Sequence, residues 1–292
     1  MRGYKLVNKI AIITDSTTDI YQEDLQKNEN IFVVPMHITY NDGREFRDGV
    51  DITSSQIIKD LDEFRPKTAS PLGENFVKTF KEIKEAGYTH VVGVFLSEGI
   101  SGTYASAIEF AKLFEEDNFK IQILPTKGVS MIIGHPALEM AKTARETGDF
   151  VQTVSLGKQL LQRTCVYFAV ESLKYLILGG RISKVEGTIA EMLDIKPIVG
   201  VNPEDGTLSS VGKVRGRKRS IKKVLETFKD EIGTQEVDKI FVVHGERMED
   251  AEYLQELFQQ EYPNAETEIH SLSALLTVHT GPGTIGAAIF LK

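Results

Sequence analysis

The chain has 292 residues, enough for one large domain or two ordinary ones, with 41% hydrophobic and 26% charged residues, the balance of a globular protein with a substantial core. A formal net charge of −8 argues against general nucleic-acid binding, and one cysteine, Cys165, excludes an intrachain disulfide and a cysteine-based zinc site. No run approaches the roughly 18 apolar residues of a membrane span, and the apolar stretch after Arg2, Lys5 and Lys9 breaks at Asp15, too early for a signal peptide.

A cytoplasmic protein without stable membrane insertion is therefore expected. Cys165 opens an apolar run to Val170 and reads as a buried small hydrophobe rather than a nucleophile.

In chain order, residues 9–14 and 31–35 predict strands, the second extended through Ile38 to Tyr40 and turned back at Asn41-Asp42-Gly43. Helices are expected over 54–64, after the cap-like Thr53, and over 71–85, stopped by Gly87. Residues 91–96 are apolar throughout, as in a buried strand, and the polar exit 97–103 leads into a helix over 104–115. A strand over 121–124 and a helix over 130–147 complete an alternating pattern. Such alternation implies a mostly parallel sheet with both faces covered, an α/β/α arrangement. Ligands of these sheets sit beyond the carboxyl ends of the strands, so Asp15-Ser16-Thr17 and the 97–103 loop are expected to border one crevice.

The second half reads as α+β. It offers a helix over 151–162, a strand over 165–170 and a helical 171–178. A hairpin at 195–215 turns at Pro203-Glu204-Asp205-Gly206, and a basic helix covers 216–231. A strand at 240–244, a helix at 249–261 and a strand at 266–271 follow. The expected fold class is α/β, an N-terminal mostly parallel domain at 1–160 and a C-terminal α+β domain at 161–292.

Several constellations bear on chemistry. Residues 281–286 (GPGTIG) match the dinucleotide fingerprint letter for letter, but too few residues follow for a βαβ unit. A tight loop preceded by Thr277, His279 and Thr280 is the better reading. The histidines lack metal-ligand spacing, so no metal and no cofactor are expected, and there is no Walker loop. Thr68, Ser70, Ser97, Ser101 and Thr103 cluster at predicted loops beside helix starts, where hydroxyls and free amides attract an anion. A serine-dependent acyl hydrolase or transferase using Ser16 or Ser101 with His279 and Asp15 is an alternative, although no Gly-x-Ser-x-Gly elbow is present. Residues 213–223 hold seven Lys or Arg and no acid, a candidate docking patch on an acidic protein or a solvated helix start.

Taken together, seven segments resemble the DegV family across essentially the whole chain. They are Thr14-Asp15-Ser16-Thr17, the 67–71 stretch KTASP, 97–103 (SEGISGT), 171–184 (ESLKYLILGGRISK), Ile195-Lys196-Pro197, 212–219 (GKVRGRKR) and 279–283 (HTGPG). The resemblance implies a fatty acid bound between an α/β and an α+β domain, with no catalysis by the chain itself. Some members of the family are the fatty-acid-binding subunit of bacterial fatty acid kinase and present the acyl carboxylate to a separate kinase subunit. By the same resemblance the carboxylate is held by Thr68 and Ser101 beside His279, in a set that includes Ser97, Gly102 and Thr280. Arg181, Arg215 and Arg217 match the kinase-docking surroundings. The chain departs from the family pattern at Ala69 and at Glu98, whose carboxylate would repel a bound carboxylate unless it points away. A carrier of another amphiphilic lipid is a third reading.

Physically, an acyl chain needs an apolar slot. Sixteen carbons contribute on the order of 10 kcal/mol at about 0.8 kcal/mol per buried methylene, before binding costs. The head group then needs only a few hydrogen-bond donors.

Overall fold

The computed structural model describes residues 8–182 and 194–292. Arg2 and Lys5 of the N-terminus, and Ser183 and Lys184 of the 171–184 motif, lie outside the described residues.

The N-terminal half holds β1 (Ile10–Asp15), a 3-10 turn (Ser16–Thr18), α1 (Gln22–Lys27), β2 (Ile31–Val34), β3 (His37–Thr39), β4 (Glu45–Arg47), α2 (Ser54–Phe64), β5 (Lys67–Ala69), α3 (Gly73–Glu85), β6 (His90–Val94), α4 (Thr103–Ala111), β7 (Lys120–Leu124), α5 (Met131–Thr147) and α6 (Phe150–Gln162). A four-stranded sheet runs β2-β1-β6-β7, parallel throughout. Every residue of β1 is buried, because α3 and α4 cover one face of the sheet and α5 and α6 the other. Two local signals set helix starts: Thr53 Oγ1 accepts from Gln56 N (3.3 Å) and Asp149 Oδ1 from Gln152 N (3.0 Å).

The C-terminal half adds β8 (Thr164–Ala169), α7 (Lys174–Leu178), β9 (Ile195–Val201), β10 (Leu208–Arg215), α8 (Arg217–Ile232), β11 (Val237–His244), α9 (Met248–Glu261), β12 (Glu266–Ser271), α10 (Ala274–Thr280) and β13 (Ile285–Leu291). Its sheet runs β10-β9-β8-β13-β11-β12, antiparallel except for the β11–β12 pair. One face carries α8 and α9 over a core of Ile221, Val224, Phe228, Leu254 and Phe258. The other face supplies Val166, Phe168, Val199, Phe241 and Val243 to a core shared with Met36, Ile38, Ile57, Leu61, Leu96 and Ile132 of the N-terminal half.

The α/β class and both sheet types follow the sequence pattern, with five differences. The strand expected through Tyr40 divides at Pro35: β2 stays in the parallel sheet, while β3 joins a separate three-stranded sheet, β4-β3-β5. Proline has no N–H to continue the ladder. Thr68 lies on β5 rather than in a loop. The helical stretch expected at 171–178 is helical only over Lys174–Leu178. Thr277, His279 and Thr280 stand before the tight loop on a helix, α10, that the spacing did not predict, and the loop begins at Gly281 with φ 73°. The run after it is β13, near the centre of the sheet. Its Gly286 has no room for a side chain, since a Cβ would lie 2.4 Å from Phe168 Cβ on β8.

Candidate functional site

Between the two halves runs a narrow slot lined mainly by apolar side chains. Its walls come from both sides: Met36, Leu96 and Val129 face Val166, Phe168, Val243, Leu272 and Leu276. Polar groups collect on the same lining, namely Thr68, Ser70, Ser101, Ser130, Arg181, His279, Thr280 and Thr284.

Thr68 Oγ1 and His279 Nε2 lie 2.7 Å apart, joining β5 to the last turn of α10. Burial, followed by the Arg181 charge, lowers His279 to about 4, so its ring is neutral at pH 7. His279 Nδ1 and Thr280 Oγ1 are buried and have no hydrogen-bond partner among the described residues. Leaving such atoms unpaired costs about 1–3 kcal/mol each, which a polar ligand group can offset. Ser101 Oγ lies 2.9 Å from Thr103 Oγ1 and 3.2 Å from Ser70 Oγ, so three hydroxyls adjoin at the start of α4. Arg181 Nη1 donates to Gly179 O at 2.5 Å, which folds its guanidinium back over the α7 exit.

Two residues of the expected set are absent from the lining. Ser97 is fully buried, and its hydroxyl donates to Gly206 O (2.9 Å) in the β9–β10 turn. Gly102 caps α4. Both shape the loop that carries Ser101. The β9–β10 turn is further held where Lys127 Nζ, in the segment between β7 and α5, donates to Pro203 O (2.7 Å) and Glu204 O (2.5 Å). Glu98 is exposed.

The expected crevice residues Asp15, Ser16 and Thr17 also do not line the slot. Asp15 accepts from Thr17 N (2.9 Å) and Leu96 N (2.7 Å), while Ser16 Oγ donates to Asp48 (2.7 Å). The serine–histidine pairing that a hydrolase requires is not formed: Ser16 bonds Asp48, Ser101 bonds other hydroxyls, and His279 bonds Thr68. Cys165 is only partly covered, and burial of its thiol, with the Glu231 carboxylate nearby, pushes it up to about 12, far from thiolate chemistry at pH 7.

The basic island divides. Lys213, Arg215, Lys218 and Arg219 are exposed on edge strand β10 and at the start of α8. Arg217 is instead tied into the fold, donating to Asp250 (2.8 Å), Glu171 (3.2 Å) and Gly283 O (2.5 Å). Sequence spacing could not separate these neighbours, because the difference lies in which carboxylates the fold brings alongside.

The fold and site thus define a three-sheet α/β protein with a mainly apolar slot between its halves and hydroxyls, a neutral histidine and an arginine on the lining. The family model described as "Uncharacterised protein, DegV family" matches residues 9–292, and the chain belongs to that family. A DegV domain-containing protein of Clostridium acetobutylicum is 34% identical over 288 residues, covering 98% of this chain and 100% of that one. A solved Thermus thermophilus structure, described as fatty acid binding of a DegV family protein, superposes with TM-score 0.86 at 26% identity over 97% of this chain and 100% of that one. A stearic-acid-binding protein of Eubacterium ventriosum gives TM-score 0.84 at 26% identity, with 98% of each chain covered.

Proposed function

We propose that this chain binds a long-chain fatty acid in the slot, with the acyl chain along the apolar walls and the carboxylate at the hydroxyl end. Thr68, Ser101, His279 and Thr280 meet the head group, Arg181 supplies positive charge beside it, and Ser97 and Gly102 hold the Ser101 loop. The observation that carries this reading is the pair of buried atoms on the slot lining with no hydrogen-bond partner among the described residues, His279 Nδ1 and Thr280 Oγ1, in a cavity whose walls are mainly apolar. The relatives described as fatty-acid binding support it. The units are residues 1–160 and 161–292, with the last turn of α6 at the boundary, and the protein works in the cytoplasm as a carrier rather than an enzyme.

The carrier presents the carboxylate to a partner kinase for acyl-phosphate formation. Arg215 and the exposed lysines and arginines around it provide the docking face with Arg181. Arg217, already engaged within the chain, does not contribute.

Native mass spectrometry of the protein purified from a bacterial host tests the ligand. A stoichiometric adduct released on denaturation as a free fatty acid is expected. A clean unliganded mass with no uptake of added palmitate would overturn the reading, and release of a different lipid would redirect it to another amphiphile. Glu reversal at Arg215 should lower kinase turnover, and unchanged turnover would remove the docking role.

A further inference from the structure

The Thr14-Asp15-Ser16-Thr17 segment and the residues after it do not touch the slot, yet three buried carboxylates meet there. Asp15 holds Leu96 N at 2.7 Å, where β6 leads into the Ser101 loop. Asp19 accepts from Ser273 N (2.7 Å) through one oxygen and from Ser130 Oγ through the other. Asp48 accepts from Leu275 N (3.1 Å) and Ser16 Oγ (2.7 Å). Asp19 and Asp48, from the N-terminal half, therefore grip the start of α10 in the C-terminal half. A further contact, Ser54 Oγ to Thr277 Oγ1 at 2.8 Å, lies one turn on. At the far end of this seven-residue helix stand His279 and Thr280. So short a helix has little stability of its own, and its placement depends on what holds it. Asp19 and Ser130, bonded to each other, both have left-handed φ, 54° and 60°, a strain that tertiary structure must maintain.

We propose that Asp19 and Asp48 are positioning residues for the head-group end of the slot, gripping α10 in their protonated state and loosening it when they ionise. The role at the head group rests on the fatty-acid reading above; the grip on α10 does not.

The surrounding charges set the direction. Asp48 lies close enough to feel the charges of both Asp15 and Asp19, and none of the three has a Lys or Arg within ion-pair distance among the described residues. From β12, the His270 ring bonds Asp19 O and is itself bonded to Glu268, which pairs with Lys239 of β11. Tyr21, also on the N-terminal side, stacks on His270. From α5, Ser130 contacts Asp19, and the nearest titratable group on that helix, His135, packs against Phe241 and Phe290 instead. Burial pushes Asp19 up to about 7 and Asp48 up to about 6, outweighing the hydrogen bonds they accept, and raises Asp15 as well. A carboxyl whose pKa is raised in the closed form favours closure below its open-form value of 3.8, and that contribution is lost as pH rises through about 7. A protonated Asp19 can still accept from Ser273 N while its hydroxyl donates to Ser130, so no bond is lost when the charge disappears.

Hydrogen exchange of peptides spanning 273–281, corrected for the intrinsic rate, tests this on the full chain at pH 6, 7 and 8, alongside dissociation of bound palmitate. In the natural protein, protection of α10 falls about tenfold from pH 6 to pH 8, and palmitate leaves faster by a similar factor. In Asp19→Asn, a neutral isostere, both profiles are nearly flat, and protection is at least as high at pH 6, 7 and 8 as in the natural protein at pH 6. Equal slopes in the two proteins, or a flat profile in the natural one, overturn the proposal. Should Asp19→Asn fail to fold, carboxyl NMR of the natural protein decides: an Asp19 midpoint near 7 that coincides with the exchange change supports the grip, and a midpoint near 4 overturns it. If α10 follows pH while palmitate is never taken up, the grip stands and the ligand is wrong.

Discussion

Thr68 and His279 are 211 positions apart in sequence, yet their side chains meet at 2.7 Å, joining β5 of one half to α10 of the other. The contact places a hydroxyl beside a neutral ring on the slot lining, whose Nδ1 lies against Gly179 and has no hydrogen-bond partner among the described residues. Thr68→Val keeps the shape of the side chain and removes the hydroxyl. Palmitate affinity should fall by about 1–3 kcal/mol, as should that of Ser101→Ala. Displacement of a fluorescent fatty acid measures both, and unchanged affinity in the two variants would place the carboxylate elsewhere.

The slot walls set what fits. Val243, 3% exposed, faces the slot from β11. Val243→Phe intrudes on the cavity and should shift preference toward shorter acyl chains, by about 0.8 kcal/mol for each methylene excluded. Competition among laurate, palmitate and stearate reads this out, and an unaltered order of affinities would show that the acyl chain avoids β11.

Gly99 lies against the β9–β10 turn, where a Cβ would sit 2.4 Å from Asp205 O and 2.5 Å from Gly206 C. These are backbone atoms and cannot swing aside. Gly99→Ala should push the turn away from the Ser101 loop and cost about 1–3 kcal/mol of stability. Ligand retention should weaken as well. Urea unfolding with a palmitate-binding assay checks the pair, and full stability would mean the turn shifts freely.

The two arginines of the basic stretch should behave oppositely. Arg217→Ala removes the partner of Asp250 and one of the two partners of Glu171, which keeps Lys196, and should cost roughly 2 kcal/mol or more in thermal or urea unfolding. Arg215→Glu, on an exposed position, should stay within about 0.5 kcal/mol of the natural protein. Comparable losses in both would contradict the division of the island into an internal and an outward part.

His135 supplies a pH dependence of opposite sign to that of Asp19. Burial, followed by the nearby Lys239 charge, lowers it to about 4. The unfolded chain therefore binds the proton more readily than the folded one below the ordinary value of 6.5. Stability from a neutral His135 is present above pH 6.5 and lost as pH falls toward 4. His135→Leu should flatten stability between pH 7 and 5 relative to the natural protein. An unchanged slope would assign the acid sensitivity to other groups.

Much of the fold was legible in sequence because buried parallel strands and amphipathic helices write themselves as apolar runs and helical spacing. Residues 91–96 and 54–64 are examples. α10 and β13 were not legible. The helix is capped by Asp19 and Asp48, more than 220 positions away, besides its own Ser273, and glycine and alanine dilute the strand signal of 285–291. The resemblance marked Thr68, Ser101, His279 and Thr280, which the fold gathers on one lining. It also marked Ser97 and Arg217, whose partners Gly206 O and Asp250 come from distant segments that no spacing rule connects. The acidic trio was visible only as separate letters.

β13 completes the larger sheet between β8 and β11, which precede it in the chain. During synthesis the parallel sheet and its four covering helices can already be in place, whereas the larger sheet remains in two pieces until β13 emerges from the ribosome. For that interval the N-terminal wall of the slot faces water with Met36, Leu96 and Val129 uncovered. Nascent chains are therefore most exposed to wrong association late in translation, and a chaperone or an early lipid would find its apolar target on that wall.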